Sequence, residues 1–506
     1  MKMSEGSRKS VFSVVMFDAA VTFISEIVIL VSFFLFYRLV SEQFSKEVVG
    51  IYSLLRRALA IFFPLAMVGL AEGLGKYVAM AKTPDESKKI ISSSALILAA
   101  VLAIVFFVFQ VNLEASAKVI FGDKEFSQYV LPFLVLLVGT CIHTFFYSCL
   151  RGSLNIKLAN LLQLLNIGLL PIVVMLSHDY RNLGDALFLI GGAQAVIALV
   201  FGLISLKIMT YRMNHISVQT VGQMLVYGFP RVPAPLAAAG LISIGPMIAS
   251  HFLSIVETGY LSLCLTLLVG IGGALSPIGV VLLPHVSKLI TEGHSGKIEK
   301  RLHILVGAMV QILLFTSIQV IIFSDLILKV WMGSDFADAA PVLILVFMSL
   351  NAYGFYVVVR NIIDAVSVKP FNSINSVLSL LCLVISFYVI AHFWPGNLIL
   401  KFAFAIMVSI NVLGFLTYRT LKKITSYNSK EDLVHLRVAF FLNLVVLLVS
   451  YYLKQYIGDH LIAWVLYELL IGVLYLFILW KMKFEWIVLI VSNVLKKVGL
   501  RNVGGV

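Results

Sequence analysis

Apolar residues in this chain run on rather than alternate. Stretches of about twenty, each long enough for an α-helix to cross a hydrocarbon layer roughly 30 Å thick, recur from one end to the other. They predict fourteen spans, over residues 14–37, 49–81, 90–111, 128–150, 159–177, 186–208, 222–250, 258–287, 303–324, 340–360, 373–393, 398–418, 436–456 and 461–480. No connection exceeds about twenty residues, which leaves no room for a folded domain outside the bundle and disfavours most enzymes. The fold class is therefore an all-α integral membrane protein whose function lies within its helices.

Composition strengthens this reading. The 506 residues are 60% hydrophobic and 12% charged, with a mean hydropathy of +1.02, well outside the range of soluble domains. The basic start (Lys2, Arg8, Lys9) resembles the head of a cleaved leader, but Asp18 and Glu26 interrupt the apolar run that follows, so an uncleaved first span is expected.

The net charge of +13 is explained by topology. If the N-terminus is cytoplasmic, only Arg38, Lys46, Lys118, Lys124, Arg181, Lys329, Lys401 and Lys454 fall in outer connections. Most of the other basic residues, including Lys422, Lys423, Lys481, Lys483, Lys496 and Lys497, then lie against the anionic inner leaflet. Both termini are expected in the cytoplasm of a cell whose inner membrane holds the protein. Nucleic-acid binding would need a compact basic module, and the sequence has none. The four cysteines (Cys141, Cys149, Cys264, Cys382) lie within spans without ligand spacing, and the histidines are scattered singly, so neither a metal site nor a bound cofactor is expected.

Sliding the chain against itself exposes a repeat. A shift of 209 residues brings Gly50 onto Gly259, Ser53 onto Ser262, Pro132 onto Pro341, Phe146 and Tyr147 onto Phe355 and Tyr356, and Arg151 onto Arg360. The register then slips to 212, pairing Lys157 with Lys369 and Asn160 with Asn372. Each repeat holds six spans, an even number, so the halves enter the membrane in the same direction. The expected division is a cytoplasmic N-terminus (1–13), an N-terminal lobe (14–221), a C-terminal lobe (222–433), a terminal helix pair (434–482) and a cytoplasmic C-terminus (483–506).

Candidate chemistry comes from charges and breaks inside the spans. Asp18, Glu26, Arg56, Arg57, Glu72, Lys76, Arg231 and Glu468 each cost roughly 2.5–3.5 kcal/mol at a helix centre, which implies pairing or a wet cavity. Asp18 lies near a helix end, and Glu72 with Lys76 is an i, i+4 pair able to neutralise itself. Glu26, Arg56, Arg57 and Arg231 lie deeper. Arginine suits phosphate, since its planar fork keeps its charge when buried, and a mid-membrane carboxylate suits a proton or sodium ion. An interhelical Arg–Glu lock is the structural alternative.

Pro230, Pro233, Pro235 and Pro246 interrupt the seventh span, and Gly270, Gly272, Gly273, Pro277, Gly279 and Pro284 the eighth, which points to hinges at Pro230, Pro233, Pro235, Gly273 and Pro277. Pro64 and Gly69 hold a comparable place in the second span. Asn160 and Gln163 in the fifth span, echoed by Asn372 and Asn375 in the eleventh, carry amides able to meet sugar hydroxyls, although such amides more often bond a neighbouring helix.

Taken in order, VGIYSLL, RGSLNIKLAN, YGFPRVPAP, TGYLSLCLTLL, VLLPHVSKL and the approaches FGDKEFSQYVLP and WMGSDFADAAPVL make the chain resemble the polysaccharide (O-antigen, Wzx-type) flippases of the multidrug, oligosaccharidyl-lipid and polysaccharide (MOP) exporter superfamily. The resemblance spans essentially the whole chain. It implies two parallel six-helix lobes in a V plus a terminal pair, moving a polyprenyl-pyrophosphate-linked oligosaccharide to the outer leaflet by alternating access for polysaccharide biosynthesis. It further implies Arg56, Arg57, Lys76 and Arg231 as the pyrophosphate cavity, coupling to Na+ or H+ with Glu26 and Asp18 as the ion residues, and a polymerase or ligase of the same pathway as partner. A lipid II flippase and a multidrug antiporter of the same superfamily are the rival readings; a membrane glycosyltransferase would need a larger outer loop.

Overall fold

A computed structural model describes residues 5–205, 215–275, 295–367, 369–425 and 432–497. These residues are helical almost throughout, with no strand among them. This is the solution hydrocarbon imposes, since a helix satisfies its own backbone without water. Among the described residues twelve helices are long and apolar enough to cross a membrane, and there are fourteen spans if each of two bent pairs counts as one. The bent pairs are Val218–Arg231 with Pro235–Ala249, at 47°, and Ser334–Phe347 with Leu350–Asp364, at 55°. Each of the fourteen predicted spans overlaps one of these.

By contacts the chain divides into two compact units. The first is Met1–Leu263 with Trp331–Gly333, and the second is Cys264–Val330 with Ser334–Val506.

In the first unit α1 (Glu5–Gln43) runs beyond the predicted span at both ends. The second predicted span is two helices, α2 (Lys46–Met67) and α3 (Leu70–Met80), broken at Val68 and Gly69, whose φ angles are 47° and 73°. The break follows Pro64 by one turn and puts Gly69 in the left-handed region that glycine adopts without steric cost. Next come α4 (Pro84–Val111), capped by the Thr83 hydroxyl accepting from the Glu86 N–H, and the short α5 (Leu113–Phe121). After these, α6 (Val130–Gly152) crosses α9 (Leu183–Ser205) where Gly139 meets Gly191, and a Cβ on Gly139 would lie 2.2 Å from the Gly191 carbonyl oxygen. The fifth span is α7 (Ile156–Gln163), a π turn (Leu164–Leu169) and α8 (Leu170–Ser177). Pro171 offers no N–H to the carbonyl one turn earlier, and the chain widens there instead of breaking. Then follow α10 (Val218–Gly228), a 3-10 turn (Phe229–Arg231), α11 (Pro233–Ala249) and α12 (Ile255–Gly273).

The second unit takes the end of α12, then α13 (Ser295–Ile322), α14 (Ser324–Met332), α15 (Ala340–Phe347), α16 (Leu350–Val366), α17 (Phe371–Phe393), α18 (Leu398–Thr425), α19 (Asp432–Ile457), α20 (Leu461–Lys481) and α21 (Glu485–Lys497). One arrangement occurs twice in the chain. Nine-residue α5, Gly122 at φ 83°, a six-residue 3-10 turn and α6 recur as nine-residue α14, Gly333 at φ 107°, a six-residue 3-10 turn and α15. Pro132 and Pro341, matched in the sequence repeat, open the helix that follows in each case.

A buried cluster around Phe323, Leu326, Tyr467, Tyr475 and Trp486 holds the terminal helix pair to α13 and α14. The Trp486 indole N–H donates to Gln311 Oε1 at 2.6 Å, docking amphipathic α21 on the same core. At the rim, Lys454 Nζ lies 2.6 Å from Asp325 and Lys329 Nζ 2.9 Å from Asp459. Partial burial pushes the Asp325 carboxyl up, but the hydrogen bond and charge of Lys454 outweigh it, and the group titrates below its ordinary 3.8. The hydrogen bond to Asp459 holds the Lys329 ammonium above its ordinary 10.5.

The depressed carboxyl contributes stability above about pH 4 that is lost as pH falls through its folded pKa; the raised ammonium contributes stability below about pH 10 that is lost as pH rises through its own. Thermal unfolding of the detergent-solubilised protein is therefore expected to show a plateau between these limits. Asp325→Asn should lower the plateau by about 1 kcal/mol or less and blunt its acid edge; an unchanged acid edge would remove this pair from the account.

Candidate functional site

The break between α2 and α3 seats directly on the end of α10. A Cβ on Gly69 would lie 2.5 Å from Gly228 Cα, and one on Gly228 would lie 2.2 Å from the Val68 carbonyl oxygen, so the two backbones touch because neither glycine has a side chain. One turn along α3, Gly73 leaves room for the Tyr227 ring, which a Cβ there would meet at 3.3 Å. Lys76 follows on the same face of α3, since positions three and seven residues apart lie together on a helix.

This packing gathers two of the predicted cations around one ring. The Lys76 ammonium lies 4.7 Å from the centre of the Tyr227 ring, and the Arg231 guanidinium 3.6 Å from it. Arg231 Nη1 also donates to the Tyr227 carbonyl at 2.7 Å, folded back along the 3-10 turn in which Pro230 is the middle residue. Tyr77 packs edge-on against Tyr227 at 5.1 Å, with Lys76 5.7 Å from its ring as well. Both cations are exposed, and among the described residues neither forms an ion pair. Glu72, one turn before Lys76, does not bridge to it within 4.0 Å.

The other two predicted cations lie elsewhere on α2. The Arg56 guanidinium stands 5.0 Å from the centre of the Phe33 ring on α1. Arg57 is buried, and its Nη2 donates to the Ser262 carbonyl of α12 at 2.6 Å, near the point where repeat-matched Gly50 and Gly259 touch.

A second polar group joins α1, α6 and the fifth span. Gln163 Nε2 donates to Glu26 Oε1 at 3.0 Å, and one turn before each, Asn160 Nδ2 donates to Thr22 Oγ1 at 2.9 Å. Within the π turn, Asn166 donates to the Gln194 carbonyl at 2.9 Å, Gln194 returns a bond to the Asn166 carbonyl at 3.1 Å, and His143 Nδ1 lies 3.3 Å from Asn166 Nδ2. His143, Tyr147 and Arg151 succeed one another at four-residue spacing on α6: the His143 ring stacks near Tyr147, and Arg151 donates to the Tyr147 hydroxyl at 3.3 Å. The result is an exposed carboxylate with one amide donor, set beside buried polar side chains.

The remaining predicted residues fall as follows. Asn372 donates to the Arg360 carbonyl and to Asp364, and Asn375 donates to Thr420, so both amides spend a donor on neighbouring helices. Pro230, Pro233 and Pro235 bracket the 47° bend. Gly273 is the last residue of α12, with open space where a Cβ would be. Pro277 lies outside the described residues, and Asp18 lies on α1 with its side chain outside them. Sequence reasoning passed over Tyr227, Tyr77, His143, Tyr147 and Gln194. The glycines at 69, 73 and 228 were the available signal for the first two, and the π turn, which sequence does not show, organises the others.

No family model and no curated protein sequence matches the chain. Among solved structures, the lipid II flippase MurJ in an inward closed conformation superposes with a TM-score of 0.66 at 16% identity, covering 90% of this chain and 98% of that one. A multidrug resistance MATE family transporter of the MOP superfamily, inward-facing, gives 0.57 at 16% identity, covering 77% and 94%. A Vibrio cholerae MATE transporter gives 0.54 at 14% identity, covering 83% and 98%. The chain thus has the fold of MOP-superfamily transporters and is a multi-pass membrane protein.

The seating of Gly69 on Gly228 is open to direct test. Gly228→Val should destabilise the protein by about 2 kcal/mol through overpacking and move Tyr227 off Lys76. Unfolding in detergent, together with the accessibility of a cysteine placed at Lys76, would measure both, and wild-type values would contradict the packing described.

Proposed function

We propose that this protein is a flippase that carries a polyprenyl-pyrophosphate-linked oligosaccharide from the cytoplasmic to the outer leaflet of the inner membrane, for polysaccharide biosynthesis. The observation that carries this reading is the placement of Lys76 and Arg231 on the single ring of Tyr227, with no acidic partner among the described residues. Two like charges brought to one ring from two elements favour an anion between them, and a guanidinium beside an ammonium matches the paired oxygens of a pyrophosphate. Arg56, exposed in part and set over the Phe33 ring, supplies a further cation on α2. Arg57, bonded to the backbone of α12, acts in this reading by fixing α2 rather than by touching substrate.

Transport by alternating access is supported by fold neighbours recorded in inward-facing and outward-facing conformations. Coupling to Na+ or H+ falls to the Glu26 carboxylate, with Gln163, Thr22 and Asn160 around it. The prolines at 230, 233 and 235 and Gly273 serve as hinges, and the amides of Asn372 and Asn375 brace helices rather than hold sugar. The likeness to a lipid II flippase supports a second reading, in which the lipid-linked cargo is lipid II itself.

Proteoliposomes loaded with a fluorescent undecaprenyl-pyrophosphate oligosaccharide, with and without an imposed Na+ or H+ gradient, would test the assignment. Wild type should flip the oligosaccharide. Arg231→Ala and Lys76→Ala should each slow it at least about tenfold, the value of one charge-assisted hydrogen bond. Transport of lipid II alone would select the second reading, and unchanged rates in both variants would overturn the pyrophosphate site.

A further inference from the structure

The second unit holds a cavity of about 280 Å³ between α13, α14 and α20, lined in part by Phe315, Thr316, Gln319, Ile327, Trp464 and Glu468. We propose that it binds a protonated primary amine carried on an apolar chain, with Glu468 as its counter-ion.

The polar side chains lining the cavity have acceptor capacity left over. Glu468 accepts from the Trp464 indole N–H at 3.0 Å and has no basic partner among the described residues. The two ammonium groups at the nearby rim, Lys454 and Lys329, are held by Asp325 and Asp459. Gln319 is 95% buried, its Nε2 spent on Ser450 at 3.1 Å, while its Oε1 has no hydrogen-bond partner. The Thr316 hydroxyl donates to the Ile312 carbonyl, which leaves its oxygen free to accept. A carboxylate with a single donor, an amide oxygen with none and a hydroxyl oxygen free to accept call for a ligand that brings N–H groups and positive charge. An unmatched carboxylate inside a span costs roughly 2.5–3.5 kcal/mol, so a cation there is strongly favoured.

The walls specify the kind of cation. The Trp464 and Phe315 rings offer π faces, Ile327 offers apolar surface, and the volume far exceeds that of a bare alkali ion. Glu468 lies seven residues along α20 from Leu461, about 10 Å below that helix end, a depth at which an amphiphile can place a charged head. The ammonium has two possible sources, an aminophospholipid headgroup or a free alkylamine. The site lies in a different unit from the proposed pyrophosphate site and does not depend on it.

Intrinsic fluorescence of the delipidated full-length protein, with Trp464→Phe as the reporter control, would follow titration by octylammonium, octanol and sodium. Saturable octylammonium binding, at least about tenfold tighter than octanol and weakened at least about tenfold in Glu468→Gln, is expected. Gln319→Leu should weaken it too, and serves as the second variant should Glu468→Gln fail to fold. Equal binding of octanol, full competition by sodium, or wild-type affinity in both variants would each overturn the proposal. In lipid nanodiscs, phosphatidylethanolamine lowering the apparent octylammonium affinity relative to pure phosphatidylcholine would identify the headgroup as occupant. An unchanged affinity would identify the free amine, and either result sustains an ammonium site.

Discussion

Contact between two bare backbones, at Gly69 and Gly228, is the constraint on which the cationic end of the first unit depends. Hydrocarbon forbids loose chain, so a helix that breaks inside a membrane has to press its freed polar groups against protein. The α2–α3 break, at the end of the Lys46–Met67 span, seats on α10, and only glycine on both sides lets the backbones come so close. Everything nearby follows from that contact. Tyr227 drops into the space left by Gly73, Arg231 folds back over its ring, and Lys76 approaches it from α3. Without the two glycines the same cations would sit on separate helices with no reason to share a partner.

The spans were legible in the sequence because their cause is local. Twenty apolar residues need no tertiary information to imply a crossing, and all fourteen predicted stretches overlap helices or bent helix pairs. Of the nine-residue helix, left-handed glycine and 3-10 turn that occur twice, only the matched prolines Pro132 and Pro341 were legible, because the short helices and turns between spans carry no periodic signal of their own. The candidate site was legible only as an inventory. Arg56, Arg57, Lys76 and Arg231 are unusual in a span, but their grouping depends on which faces of α2, α3 and α10 meet. Lys76 and Arg231 meet on Tyr227, while neighbours Arg56 and Arg57, about 100° apart on one helix, go to Phe33 and to Ser262. The π turn at Leu164–Leu169 was hidden for another reason: nothing in the residue types distinguishes a widened turn from an ordinary one except Pro171 downstream.

Amides divide by what they face. Asn372 and Asn375 bond across to Asp364 and Thr420, and Asn166 with Gln194 makes a closed reciprocal pair, so these groups stiffen the helices that carry them. Gln163 bonds the exposed carboxylate of Glu26 just as Asn372 bonds that of Asp364, but only Glu26 lies on a helix that the Asn160–Thr22 bond also ties down one turn away. Amide donors of this kind hold an acid in one orientation.

Placement of the unmatched charges follows the same logic as the placement of the breaks. Charges that complete the architecture are matched within it: Lys454 by Asp325, Lys329 by Asp459, Arg57 by a backbone carbonyl. Lys76, Arg231, Glu26 and Glu468 lack an ion-pair partner among the described residues. An unmatched charge at mid-membrane costs roughly 2.5–3.5 kcal/mol, so retaining one calls for a reason. In the readings proposed above that reason is a ligand of opposite sign: an anion at Tyr227, a cation at Glu26 and another at Glu468.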